Sequence, residues 1–513
     1  MNSNNNFSKK RLLKRAKVSK EDNCSQKYQS ISKNIEDNLN RLKKTFKHCE
    51  DIIYRPIATE ENTEGFLLVY INSMIDKNML NENILKPLLK DISFIDDIKS
   101  SEYHQIAKRV LPVSDIKESQ NYNCLLLPLL SGDILLFTQC SKTALIIPSK
   151  TSEGRNIMPS SAERTVGGPQ DALVESIDKN ISLIRERIQD SKLAVEFYNL
   201  GSNTNTDTAI LYLNGVARTD IVKEIKERIS SIKTSSVLTS SQIDQMIQSH
   251  KWSVFPQTLP TDRPDKLAAS ILEGRVVIIV NGTPFALIAP VTFAMFFNSS
   301  EDYFDRTIVT SLIRIVRYVC YISSVFLPAL YLALTSYHPG MLPTPLALYI
   351  TGARVGLPFP SLIELIFMQF TTEVLIEASV RLPKAIGQTV GIVGGLVIGQ
   401  AVVQAGLVNP LIVIVVSLTA LATFIIPVYN FALSTRVLRA VMIIAAATLG
   451  LYGIVMAGIF LLIHLSSIES FGIRYLEDFS PYSISKLKDT LIKAPHKYIN
   501  KAPEYLKEKT KKE

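Results

Sequence analysis

The stretch IGQTVGIVGGLVIGQAVVQAGLV (Ile386–Val408) carries no formal charge. Neither does LIVIVVSLTALATFIIPVYNFAL (Leu411–Leu433) or AVMIIAAATLGLYGIVMAGIFLLI (Ala440–Ile463), which follow it. Upstream, Tyr318–Ser336 is uncharged as well. As helices these runs are about long enough to cross a hydrocarbon layer of roughly 30 Å. Core helices of soluble proteins are seldom uncharged for so long, so the pattern predicts a C-terminal membrane bundle. A fifth segment, Pro358–Ser379, is apolar but holds Glu364, Glu373 and Glu377, and reads as a span or a re-entrant segment.

Basic residues orient the bundle, because short loops rich in Lys and Arg stay on the cytoplasmic side. Three clusters flank the segments: Arg306, Arg314 and Arg317; Arg381 and Lys384; Arg436 and Arg439. Five crossings with the N-terminus inside place all three clusters inside and leave Arg354 outside. That count also puts the basic C-terminal tail outside. Four crossings with a re-entrant segment put the tail inside. The charge pattern favours five.

Outward from the bundle, the 513-residue chain is polar and charged. Residues 1–49 read as a basic tail followed by a helix over 28–48. The tail holds Lys9, Lys10, Arg11, Lys14, Arg15, Lys17 and Lys20 with no acid among them. Residues 50–148 read as a first α/β lobe, with strands over Gly65–Ile71 and Thr143–Pro148. Leu125–Thr138 reads as two strands turning at Ser131-Gly132-Asp133. Residues 149–164 read as a linker, and 165–312 as a second α/β lobe. In that lobe a helix begins after Pro169, a strand covers Thr208–Val216, and helices lie near 219–232 and 239–250. Two strands there turn at Asn281-Gly282, a strong hairpin signal. The hairpins of the two lobes look alike in pattern, but that alone does not make a repeat. Residues 313–468 form the bundle and 469–513 a basic tail. The fold class is an α+β membrane protein: a two-lobed soluble α/β region, then an α-helical bundle of four or five spans.

The net charge of +9 sits largely in the two tails, with no interleaved aromatics to stack on bases. A membrane surface suits these clusters better than nucleic acid. The five scattered cysteines, without a C-x-x-C pair, read as free thiols rather than a disulfide framework or metal site. No P-loop, H-E-x-x-H or G-x-S-x-G is present, so no enzyme and no cofactor is expected.

The acid-bearing segment carries the chemistry. On a helix, Gln369, Glu373 and Glu377 fall at i, i+4 and i+8 on one face, continued by Arg381, while Glu364 points roughly opposite. Charges at the bilayer centre cost about 3 kcal/mol each, so this face must meet water, cations or partner helices. One reading is a water-lined ion path, with several subunits arranging such faces into a ring. The other is an ion pair such as Glu377 with Arg381, holding the bundle together. Gly387, Gly391, Gly395 and Gly399 follow at intervals of four, a groove for close approach of another helix.

The segments GPQDALVESIDKNISLIRERI (Gly168–Ile188), FPQTLPTDRPD (Phe255–Asp265), EGRVVIIVNGTPFALIAP (Glu273–Pro290) and SSEDYFDR (Ser299–Arg306) resemble one family. So do GLPFPSLIELI (Gly356–Ile366) and EASVRLPKAIGQTVGIVGGLVIGQA (Glu377–Ala401). That family is the A subunits of spore nutrient germinant receptors, the GerA family of endospore-forming bacteria. The family's usual R-G-P-R-E-G-F opening is altered here at Gly167 and at Gln170 to Leu173. The resemblance implies an inner-membrane protein of the dormant spore, its N-terminal region on the core side. It implies a transporter-like B subunit and a lipoprotein C subunit as partners. It also implies a homo-oligomer that forms a nutrient-gated ion channel, lined by the acid-bearing helix. A secondary transporter and a non-conducting receptor scaffold are the rival readings.

Overall fold

The computed structural model describes residues 29–58, 64–90, 110–149, 165–480, 489–494 and 503–506, except 114 and 166, together with 105, 108, 160, 162 and 163. The basic N-terminal cluster and most of the expected linker lie outside them.

The first lobe opens with α1 (Ile35–Thr45), whose Ile35 and Leu42 face the core at helical spacing and whose Asn34 side chain caps Glu36 N. Strands β1 (Ile52–Ala58), β2 (Glu64–Ile71), β3 (Lys117–Ser119), β4 (Ile134–Thr138) and β5 (Ala144–Ile147) form an antiparallel sheet ordered β1-β2-β4-β5-β3. Between β3 and β4 lies a helix, α2 (Asn123–Leu130), where the sequence suggested a strand. LLLPLL (Leu125–Leu130) has no polar residue to reveal a period, and apolar runs this short fit either state. Cys49, Cys140 and Cys320 are free, whereas Cys124 is disulfide-bonded, contrary to the free-thiol reading.

The second lobe repeats the first. Helix α3 (Ile177–Arg187) precedes β6 (Leu193–Leu200) and β7 (Thr206–Leu213). Then come α4 (Thr219–Ser230), α5 (Ser240–Ile247), β8 (Leu259–Thr261), α6 (Pro264–Leu272), β9 (Val276–Val280) and β10 (Ala286–Ala289). The sheet order is β6-β7-β9-β10-β8, the same permutation. Adding 142 to Ile35–Thr45, Glu64–Ile71, Lys117–Ser119, Ile134–Thr138 and Ala144–Ile147 gives the bounds of α3, β7, β8, β9 and β10. Details follow the same offset. Asn38 clasps both backbone groups of Ser32, and Asn180 does the same to Val174. Gly132 and Gly274 both turn the chain at positive φ, and Ala-Leu-Ile recurs at 144 and 286. The repeat is therefore real in structure, although few side chains preserve it. α3 starts at Ile177, later than Pro169, because Val174 to Ser176 are spent on the loop that Asn180 fastens.

The lobes are joined by Arg185 on α3, which grips Asp51 through Nε (2.9 Å) and Nη2 (2.8 Å) with both side chains buried. Glu50 N and Val195 N add backbone bonds across the joint. Removing one member of a buried pair strands the other charge, typically at a cost of about 3–5 kcal/mol. Asp51→Ala should lower stability to denaturant by that order, while Lys223→Gln on the exposed face of α4 should not.

The helical region begins with α7 (Thr307–Ser336), followed by α8 (Thr344–Ala353), α9 (Ser361–Arg381), α10 (Lys384–Gln404), α11 (Pro410–Phe424) and α12 (Tyr429–Ser467). α7 and α12 are long and apolar enough to cross a membrane. The expected span Leu411–Leu433 stops at Phe424, since Pro427 cannot donate the helix bond. The expected span Ala440–Ile463 is folded in two. Gly450, at φ 62° and ψ −137°, breaks α12. Phe431 and His464 lie 33 positions apart, about 50 Å along a straight helix. Yet their rings sit 6.2 Å and 6.0 Å from the ring of Phe255. Residues 429–449 and 451–467 are thus two antiparallel limbs, and a Cβ on Gly450 would press on His338 Cε1 at 2.9 Å. With α7, α9, α10 and α11 they make six limbs of alternating direction. Hydropathy cannot show the bend, because both its sides are apolar.

Aromatic rings seat the bundle on the second lobe. Phe296 and Tyr321 stack on Phe431 at 5.0 Å and 5.3 Å, and Phe293 meets it edge-on. The C-terminal segment returns to the same place. Phe471, Ile473 and Leu506 enter the core of the second lobe, and Tyr475 donates to Pro256 O at 3.0 Å. Arg314 and Arg317 at the base of α7 converge on Asp302, with Arg314 also reaching Asp489. Burial pushes the Asp489 carboxyl above its ordinary value, against the lowering pull of Arg314. The tail therefore lies on the lobe side, which an odd number of crossings does not allow. Spin labels at Val437 and Ile463 should read a separation below about 20 Å, against about 39 Å for one straight helix. The longer distance would refute the hairpin.

Candidate functional site: a charged seam between two bundle helices

Local sequence makes α9 a continuous helix. Pro360 precedes its first turn, where a missing N–H costs nothing, and Pro383 ends it two residues past Arg381. The spacing of four places Gln369, Glu373, Glu377 and Arg381 along one side. The limb 429–449 lies alongside and supplies Arg436 and Arg439. Arg436 Nη1 donates to Glu373 Oε1. Arg439 donates to Gln369 Oε1 (3.1 Å), Thr423 Oγ1 (2.6 Å) and Ser324 O (2.8 Å), and so ties α9, α11 and α7 together. Glu377 accepts from Arg381 Nη2 at 2.7 Å within α9.

Glu364 stands apart from this seam. It is 1% exposed, and its Oε2 accepts from Asn409 N at 2.8 Å, at the start of α11. A carboxylate at a helix N-terminus meets free N–H groups and a favourable dipole. The candidate set therefore divides: Gln369, Glu373, Glu377 and Arg381 share a surface, and Glu364 serves an internal helix start.

Sequence reading missed Arg436 and Arg439 as part of the seam, since it assigned them to a loop between spans. Their signal was their separation of three, which puts both on one helix face. The glycine row divides as well. A Cβ at Gly387 would meet Ser379 O at 2.6 Å, and Gly394, outside the row, is tight against Leu375 at 2.8 Å. Gly399 has only a loose neighbour, and Gly395 has none within 4 Å among the described residues. Within the chain, α9 packs on the Gly387 end and on Gly394, rather than along the whole G-x-x-x-G row. The surroundings of Gly391 lie outside the described residues.

Beyond the paired atoms the seam is open. The Glu373 and Glu377 side chains are 41% and 54% exposed, and Arg381 77%. Around them Phe370, Val374 and Val380 are also exposed. A membrane-embedded helix that shows acids beside apolar groups on its outer face needs water, another subunit or a lipid headgroup there.

The structure thus presents a helical bundle seated on duplicated sheet lobes, with charges along one outer seam of the bundle. The family described as Bacillus/Clostridium GerA spore germination protein matches residues 40–505, and the chain belongs to it. Spore germination protein KA of Bacillus subtilis is 38% identical over 94% of this chain and 88% of its own length. GerLA of Bacillus cereus is 37% identical over 90% and 93%. YfkQ of Bacillus subtilis, described as a membrane protein, is 36% identical over 92% and 91%. The crystal structure of the N-terminal domain of the A subunit of the Bacillus megaterium germinant receptor GerK3 aligns at 30% identity and a TM-score of 0.40. It covers 52% of this chain and 99% of that one.

The pairing makes a thermodynamic prediction. Glu373→Gln and Arg436→Gln should each lower thermal stability in detergent. The double variant should lose less than the sum, with a coupling of about 0.5–3 kcal/mol. Additive losses would show that the two side chains do not interact.

Proposed function

We propose that this chain is the A subunit of a spore nutrient germinant receptor and forms an oligomeric, nutrient-gated ion channel in the spore inner membrane. Its two lobes and its tail face the spore core. A transporter-like B subunit and a lipoprotein C subunit complete the receptor. All six limbs cross the bilayer, an even count that keeps both ends on one side. Many large apolar side chains on their outer faces, such as Ile308, Leu312, Phe370, Ile444, Tyr452 and Phe460, are exposed and suit lipid or neighbouring subunits.

The observation that carries the reading is the half-exposed row of Glu373, Glu377 and Arg381 on the outside of a single bundle. Several copies around an axis would turn that row inward as a charged ring, a common device for cation selectivity. Nutrient binding on a partner opens the ring only if the open arrangement binds it more tightly. The second reading, a non-conducting scaffold, draws on the fact that each of these acids already has an arginine partner.

Liposomes holding this chain with its B and C partners separate the two. Nutrient-dependent ion flux, altered in selectivity or rate by Glu373→Ala or Glu377→Ala with assembly intact, supports the channel. Absence of flux in properly assembled samples leaves the scaffold.

A further inference from the structure

Between α9 and the limb 429–449 runs a groove of about 730 Å³, the size of a typical small-molecule site. Its walls are apolar, with Ile366, Phe370, Ile444 and Ala447 among them, and it ends on a polar group formed by Gln369, Glu373, Arg436 and Arg439. Exposure of Ile366, Phe370 and Ile444 shows that the groove opens on the outer surface of the bundle.

Charge at the polar end does not balance. Arg436 is matched by Glu373. Arg439 is 7% exposed, and its three hydrogen bonds all go to neutral acceptors, the side chains of Gln369 and Thr423 and the carbonyl of Ser324. Two of its five N–H groups are left for another acceptor. The Gln369 Nε2 is also buried without a partner among the described residues. Two arginines against one carboxylate leave one positive charge at the mouth of an apolar slot. An uncompensated buried charge is costly, and an anion there relieves it.

The position along the limb is telling. Phe431 lies against the second lobe, and Arg436 and Arg439 follow within about 12 Å. The remaining groove, to Thr448, extends about another 13 Å away from the lobe. That is the layout of one lipid in the lobe-side leaflet, with its headgroup at the arginines and an acyl chain along Ile444 and Ala447.

We propose that this groove is a binding site for an anionic phospholipid, whose phosphate is held by Arg439 and Arg436. The proposal rests on insertion of the bundle in a bilayer, and not on ion conduction.

The test uses the purified full-length chain, delipidated in detergent and offered equal phosphatidylglycerol and phosphatidylcholine, each with a photoreactive diazirine in its acyl chain. Native mass spectrometry counts retained lipid, and peptide mapping locates the label. Phosphatidylglycerol should be retained about tenfold over phosphatidylcholine, with the label on residues 440–448. Arg439→Gln should reduce that preference about fivefold, as expected for one cation at a lipid headgroup, and Arg439→Lys should keep most of it. Ala447→Phe, which narrows the slot and leaves the charges, should reduce labelling by both lipids. Equal retention of the two lipids, or labelling confined to the basic tails, would overturn the proposal. So would a cross-link from the groove to a second copy of the chain. Should Arg439→Gln unfold the protein, Ala447→Phe and the wild-type label map decide alone. Retention of neither lipid would also overturn it, whereas failure of the chain to co-sediment with vesicles would overturn the bilayer insertion on which it rests.

Discussion

The helical half is seated on the second lobe through one aromatic cluster centred on Phe431. Phe431 opens the limb 429–449 and is buried among Phe293, Phe296 and Tyr321. Aromatic pairs add about 0.5–1.5 kcal/mol each beyond the area they bury, and several converge here. Because Phe255 touches both Phe431 and His464, the same cluster holds both ends of the hairpin against the second lobe. The apolar core of that lobe is consequently continuous with the core of the bundle.

The polar constraints sit on this frame. Arg314 and Arg317 bind Asp302 at the foot of α7, and Asp489 brings the C-terminal segment to the same point. Asp51 and Arg185 fix one lobe to the other. Charge pairs thus stand buried at the joint between the lobes and at the foot of α7, and partly exposed in the seam at Glu373 and Arg436.

How much of this was legible beforehand differs by level. The apolar runs gave away the bundle, and the spacing of four placed Gln369, Glu373 and Glu377 on one face. The strand at Gly65–Ile71 and the hairpin at Asn281-Gly282 were also readable, since a short continuous apolar run and turn chemistry are local signals. The duplication was hidden. A sheet tolerates many apolar exchanges at each position, so the second copy kept its lengths and its asparagine clasp while its side chains drifted. α2 was misread because a short, wholly apolar segment has no period. Arg436 and Arg439 were misplaced because charge near a membrane usually marks a loop.

The sequence by itself determined that the chain has a charged two-lobed region and an apolar helical region, and that α9 carries a row of polar groups. These follow from composition and periodicity, which act over a few residues. Only the tertiary structure decided that Gly450 folds one apparent span into two, that the tail returns to the lobe side, and which acid meets which arginine. Those outcomes depend on contacts between segments tens to hundreds of residues apart. In an apolar stretch the backbone reversal at a single glycine leaves hydropathy unchanged while it reverses the direction of everything after it.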